Sequence, residues 1–183
     1  MVWIIVAVVV VLLVLLVIAS YNGLIRRRNQ VENAWSQIDV QLKRRIDLIP
    51  HLLETVKGYA AHEKSTLEAV VTARNAAIAA PATPAAQSAA DNQITGALRQ
   101  LFALSESYPD LKANQNFLAL QEELTATEGR VAYARQFYND SVLGYNNKLQ
   151  TFPTVVIASL MHFEKKEYFE TDDASREVPK VQF

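Results

Sequence analysis

Residues 21–59 read YNGLIRRRNQVENAWSQIDVQLKRRIDLIPHLLETVKGY, and their apolar side chains keep a seven-residue beat. Trp35, Leu42, Ile49 and Val56 fall at one position of the repeat. Val31, Ile38 and Leu52 fall at its companion, interrupted at Arg45, where Ile46 supplies the apolar group. This spacing gathers both sets on one stripe of a helix, the seam by which helices pack side by side. Arg27, Glu32, Lys43, Arg44, Asp47 and Glu54 lie opposite and are expected in water. Pro50 sits inside the beat, where it removes a backbone hydrogen bond. A kink is expected there rather than a stop, because Leu53 and Val56 continue the stripe. Asn22-Gly23 is expected to stay helical, since the pattern resumes at once, although glycine costs a helix about 1 kcal/mol relative to alanine.

Upstream, Met1 to Ser20 is an uninterrupted apolar run, long enough as a helix to cross a hydrocarbon core of roughly 30 Å. Trp3 and Tyr21 stand at its two ends, where amphipathic rings favour the headgroups. No basic residue precedes the run, so it reads as a retained membrane anchor rather than a cleaved leader. Arg26, Arg27 and Arg28 follow it. The positive flank favours the cytoplasmic side, which places Met1 outside and the helical domain in the cytoplasm. Export of the domain to the outer side is the alternative. The same arginines read first as a topology signal and nothing more; the alternative is that they hold anionic lipid headgroups, at roughly 1 kcal/mol per charge.

Downstream, Gly58 is a candidate helix C-cap and Ser65-Thr66-Leu67-Glu68 has the form of a capping box. A second helix with Leu67, Val70, Val71, Arg74 and Ile78 on its inner face is expected to end at the proline-containing loop Ala80 to Ala86. A third helix, starting near Pro84 or Gln87, turns Ile94, Leu98, Leu101 and Leu104 inward and stops before Ser107. Pro109 and Asp110 suit the first turn of the next helix. There Phe117, Leu124, Val131, Tyr138 and Tyr145 recur every seven residues, with Leu120 and Ala134 in the second seam. Tyr138-Asn139 and Tyr145-Asn146 are one dipeptide repeated a heptad apart. They read either as a polar ladder that sets register or binds a partner, or as two core tyrosines beside exposed asparagines. Phe152-Pro153 breaks the pattern. Thr154 to Phe163 is a second apolar block, too short to span a bilayer, that must pack on the bundle, lie on the membrane or meet another subunit. From Glu164 the chain is charged, a composition ordinarily expected to be disordered.

Composition narrows the chemistry. Over 183 residues the net charge is −1, which argues against a general nucleic-acid or anionic-lipid binder, since counterion release needs a sustained basic surface, although local charge still matters. Cysteine is absent, which excludes disulfides and thiolate chemistry. His51 and His62, with Glu54 and Glu63 nearby, lack the spacing of a metal-binding helix. His162 is isolated in an apolar block. No catalytic residue, metal or cofactor is expected.

Tyr21-Asn22, Arg28-Asn29, Ala34-Trp35-Ser36, the run Asp39 to Arg45, Asp47-Leu48-Ile49-Pro50, Val56 to Ala60 and His62-Glu63 together resemble the signature of the bacterial LemA family. The resemblance continues at Ala73-Arg74, Glu106 to Pro109, Leu111-Lys112-Ala113, Tyr138-Asn139, Tyr145-Asn146 and Phe169-Glu170. His51 departs from it, standing where the family usually has asparagine. The resemblance implies a single-pass anchor followed by a helical domain, with links to envelope maintenance and to membrane proteases or membrane-remodelling proteins.

These readings converge on an all-α chain, with a transmembrane helix continuing into an antiparallel four-helix bundle whose first and last helices are long. Its expected divisions are an anchor at 1–22, a helical bundle at 23–150, and an apolar segment with a charged tail at 151–183. The expected function is a scaffold that self-associates and organises partners at the membrane. Expected partners are the lipid bilayer, further copies of the chain and an unidentified membrane protein, with no nucleic acid. Alternatives are a monomeric adaptor or regulator of a membrane protease or other membrane complex, and an enzyme using His51 and Glu54. Trp35, Leu42, Ile49, Pro50, Tyr138, Asn139, Tyr145 and Asn146 are the candidate packing and interaction residues.

Overall fold

A computed structural model describes residues 1–60 and 62–170, and among them all regular structure is helical. Six helices follow in order: α1 Val2–Lys57, α2 Lys64–Ala79, α3 Pro84–Ser105, α4 Pro109–Lys112, α5 Gln115–Gln150 and α6 Thr154–Leu160. They form two compact units. Among the described residues the first holds 1–37 and 136–168; the second holds 38–135 with 169 and 170.

In the first unit α1 passes through Asn22-Gly23 without interruption. The α1 and α5 helices pair antiparallel: Gly23 stands against Lys148, Arg27 against Gly144, and the Trp35 and Tyr138 rings lie 5.5 Å apart. Leu24, Val31, Ala34, Tyr138, Val142 and Tyr145 are buried along this seam. Met1 to Ala19 are all exposed, whereas Ser20 is buried.

The second unit is built on the other half of the α1 beat. Ile38, Leu42, Ile49, Leu52 and Val56 are buried, and so is Arg45, at 2% exposure. The seam therefore is not interrupted at Arg45. The guanidinium occupies the seam position, and Ile46 stands half-buried beside it.

Proline at position 50 is accommodated inside α1. Lacking an N–H, Pro50 leaves the Ile46 carbonyl without its helical donor, and Arg74 Nε on α2 donates to that oxygen at 3.3 Å. Arg74, expected on an apolar face, thus supplies the missing bond. Arg74→Met should cost about 1 kcal/mol, the net worth of an ordinary hydrogen bond, since this one is part-buried. It should cost much less in a Pro50→Ala background, where the restored N–H serves the carbonyl. Thermal unfolding of both single variants and the double variant checks this; equal costs in the two backgrounds would remove this bond as the reason for Arg74.

The inner face of α2 is rotated from its expected position. Leu67, Val70, Ala73 and Ala77 are buried, whereas Val71 and Ile78 are exposed. Alanines turned inward let α3, with Ala90 and Ala97 buried, pack closely against α2. The larger side chains are consequently the ones left outside. Pro84 opens α3, and the Thr83 hydroxyl caps it by accepting from Ala86 N.

Three expected boundary devices are absent or displaced. The capping box does not form, because Glu63 takes the N-cap of α2 with no side-chain bond. No glycine has positive φ among the described residues, so Gly58 is not a left-handed cap. Instead the Tyr59 and Ala60 amides both donate to the Val56 carbonyl. Pro109 opens the single-turn α4, and Asn114 caps the long helix through Phe117 N at 3.0 Å. Asn114 also donates to the Tyr59 hydroxyl at 2.8 Å, and the Tyr108 hydroxyl donates to Glu63 at 2.7 Å. The hydrogen bond to Glu63, then burial and the Glu63 charge, raise the Tyr108 phenol above its ordinary value.

Candidate functional site

The first unit carries a clamp on an extended segment. After α6 the chain turns back at His162, whose φ of 54° is left-handed. The Phe163 amide reaches the Ala158 carbonyl at 2.9 Å, and the His162 amide reaches Ser159 at 3.3 Å. This is the Schellman closure, with histidine where glycine is usual.

Residues 164–168 then run over α5, where the repeated dipeptide receives them. Asn146, 6% exposed, donates Nδ2 to the Lys166 carbonyl at 2.9 Å and accepts the Lys166 amide on Oδ1 at 3.0 Å. The Tyr138 hydroxyl donates to the Glu167 carbonyl at 2.9 Å. Burial and the neighbouring Glu167 charge raise the Tyr138 phenol, so it remains a donor at neutral pH. Tyr145 is 1% exposed and its phenol is also raised. Burial is the main cause there; the Arg28 charge opposes it, and Glu164 and Glu32 add to it. Both tyrosines are core residues, but neither asparagine is exposed beside them: Asn146 is buried and bonded, and Asn139 is half-buried.

Of the three arginines after the span, Arg26 and Arg27 are exposed and Arg28 is half-buried. Arg28 lies 6.0 Å from the Phe163 ring and 3.7 Å from Glu32. Phe163 in turn meets Tyr21 edge-on at 6.0 Å. Between them opens a cleft of about 360 Å³, whose lining includes Tyr21, Arg28, Tyr145, His162, Lys165 and Lys166, with Glu164 the one carboxylate. Its charge suits an anionic group. Trp3 stands 85% exposed at the far end of the span.

The second unit holds a separate buried cluster. Arg45 Nη1 donates to Asp91 Oδ1 at 2.7 Å and to Thr95 Oγ1 at 3.0 Å, while Arg135 bonds the other oxygen of Asp91. Arg135 also lies 4.8 Å over the ring of Phe169, which is 2% exposed. One carboxylate therefore ties α1, α3 and α5 together. Nothing about Arg45 in isolation points to this cluster; its place on the heptad seam is the one signal of it in the sequence. His51 and His62 are exposed, and among the described residues no group of three or more His, Asp and Glu is placed to hold a metal ion.

The LemA family pattern matches residues 34–183, most of the chain. The chain belongs to the LemA family. Protein LemA of Metamycoplasma hominis is 27% identical over 158 residues, covering 85% of this chain and 71% of that protein. Magnetosome protein MamQ of Magnetospirillum gryphiswaldense is 23% identical over 178 residues, covering 84% of this chain and 65% of that protein. Magnetosome protein MamQ 2 of Paramagnetospirillum magneticum is 29% identical over 85 residues, covering 46% of this chain and 31% of that protein. The chain thus spans less than two thirds of these two MamQ proteins. Membership of the LemA family marks this as a membrane-associated helical protein, and among the described residues one helix, α1, is long and apolar enough to cross a membrane.

Proposed function

We propose that this LemA-family chain is a membrane-anchored scaffold that associates with copies of itself and organises partner proteins at the membrane, in the service of envelope maintenance. The unbroken α1 carries this reading. Its apolar stretch, with a mean hydropathy of 3.6 and no buried share, continues without a break into the helix that pairs with α5. A body joined to its anchor by a continuous helix keeps a fixed height above the bilayer, as a scaffold requires. Val40, Leu118 and Leu143 on α1 and α5 are exposed apolar side chains available to a second copy of the chain. The flank of Arg26 and Arg27 supports a cytoplasmic position for the helical domain, with Met1 outside.

One experiment tests assembly and orientation together: a membrane-impermeant lysine crosslinker applied to right-side-out and to inside-out vesicles. Multimers are expected in the inside-out vesicles alone. Monomer in both preparations would sink self-association, and multimers in the right-side-out preparation would reverse the orientation.

The second reading is a monomeric adaptor or regulator of a membrane protease or other membrane complex. The double hydrogen bond from Asn146 to an extended backbone favours it, because a surface that holds such a segment suits peptide recognition. Asn146→Ala separates the readings: loss of partner capture with assembly intact identifies the adaptor, and capture unchanged removes the clamp as its site.

A further inference from the structure

Phe152 is 81% exposed, Leu160 71%, Met161 56% and Val156 52%. These four large side chains occupy the corner between α5 and α6, in a chain whose other helices keep their seams covered. The register fixes the height of that corner. Lys148 faces Gly23 and Gly144 faces Arg27, so each step back along α1 matches one step forward along α5. Extended by that rule, Thr151 and Phe152 come level with Ser20 and Ala19, the last residues of the apolar run. Ser20 is the one buried residue among the first twenty, as expected if the turn after α5 covers it. At the other end of the corner Phe163 meets Tyr21, the ring placed at the bilayer's edge.

We infer that the corner from Phe152 to Met161 is a second membrane contact, an apolar wedge seated in the interfacial layer of the leaflet from which α1 emerges, with the cationic cleft behind it taking the phosphate of an anionic lipid. The inference rests on the spanning role of α1. Charge supports the occupant. Arg28 lies seven residues beyond Tyr21, about 10 Å along the helix and just past a headgroup layer about 5–7 Å thick, and its guanidinium reaches back towards that layer, 6.0 Å from the Phe163 ring that meets Tyr21. Lys165 and Lys166 line the same cleft. Apolar side chains at the depth of the span's end, with cations one layer further out, match the cross-section of an anionic leaflet and not that of water. The short α6 leaves Val155, Val156 and Leu160 outward while Thr154, Ile157 and Ala158 face the protein. One face thereby holds the wedge to the body and the other is free for lipid.

The chain contains no cysteine, so single labels can be placed at will. Nitroxides would be attached to Phe152→Cys, Leu160→Cys, Leu13→Cys in the span and Tyr133→Cys on α5, each in the full chain. The variants would be reconstituted in phosphatidylcholine vesicles with and without phosphatidylglycerol, and collision rates with oxygen and with a water-soluble nickel chelate compared. Labels at 152 and 160 are expected to favour oxygen, as the label at 13 does, and the label at 133 to favour the chelate. Phosphatidylglycerol should deepen 152 and 160, and Arg28→Gln should abolish that deepening while inorganic phosphate does not. If 13 favours oxygen but 152 and 160 resemble 133, the wedge fails and the spanning helix stands. If 13 itself favours the chelate, both fall. Spin–spin broadening at 152 and 160, with neither reagent reaching them, would put a second copy on the patch and overturn the proposal.

Discussion

Asp91→Ala should destabilise the second unit by about 3–5 kcal/mol, the usual cost of removing one partner from a buried ion pair. Asp91 and Arg45 both have side chains 3% exposed, and Arg135 is the second cation on the same carboxylate. Without Asp91, Arg45 keeps only the Thr95 hydroxyl, a neutral acceptor, for a charge on a side chain 3% exposed. Urea unfolding of the detergent-solubilised chain, followed by circular dichroism, gives the loss. A change under about 1 kcal/mol would mean that Arg45 finds solvent and that the cluster is not sealed.

The complementary variant separates stability from specificity. Replacing Arg45, Asp91 and Arg135 together by Met, Leu and Met removes every charge, and such exchanges are often neutral or stabilising by about 1–4 kcal/mol. If stability returns while the pairing of α1, α3 and α5 becomes heterogeneous, the cluster fixes register, as a polar residue on a heptad seam does in coiled coils. Arg45 occupies the same seam as Val31, Ile38 and Leu52, which is where a register-setting group belongs.

That seam also shows how far the sequence could be read. Periodicity alone places Val31, Ile38, Leu42, Ile49, Leu52 and Val56 in the core, as it does Phe117, Leu124, Val131, Tyr138 and Tyr145, because apolar groups repeated every seven residues fall on one side of a helix and need a second helix to cover them. The same rule fails at Arg45. A pattern of hydrophobicity treats every charge as solvent-facing, and the partner that makes burial tolerable lies forty-six residues away on another helix. It fails on α2 for the opposite reason: choosing large residues for the inner face ignores that Ala73 and Ala77 permit the closer approach. Pro50 is legible as an exception inside a helix, but its consequence, a carbonyl needing a donor from Arg74, is a tertiary fact. The charge of the segment after Glu164 predicts disorder; as far as Glu170 the segment is held, by Asn146, Tyr138 and Ser88 through its backbone, which composition cannot register. Residues 171–183 of that tail lie outside the described residues.

Phe169→Ala should cost about 3–5 kcal/mol, as for other fully buried aromatic side chains. Its surroundings in sequence, charged on both sides, conceal it, yet it is 2% exposed, with Arg135 4.8 Å over its ring and the Ser88 hydroxyl donating at 2.7 Å to the carbonyl of Glu170 beside it. Two terms are combined in that cost, and Phe169→Leu divides them. Leucine keeps most of the apolar volume but offers Arg135 no π face, so the loss should shrink to the cation–π share plus a small packing defect, about 1–2 kcal/mol. In an Arg135→Met background the cation–π share is already gone, and Phe169→Leu should there cost only its packing defect. The coupling energy between positions 169 and 135 is thus the measured quantity, obtained from the unfolding of four proteins. A coupling near zero would mean that Phe169 acts by volume alone. A Phe169→Ala loss below about 0.5 kcal/mol, within the range of ordinary surface substitutions, would mean that the segment is not docked in solution.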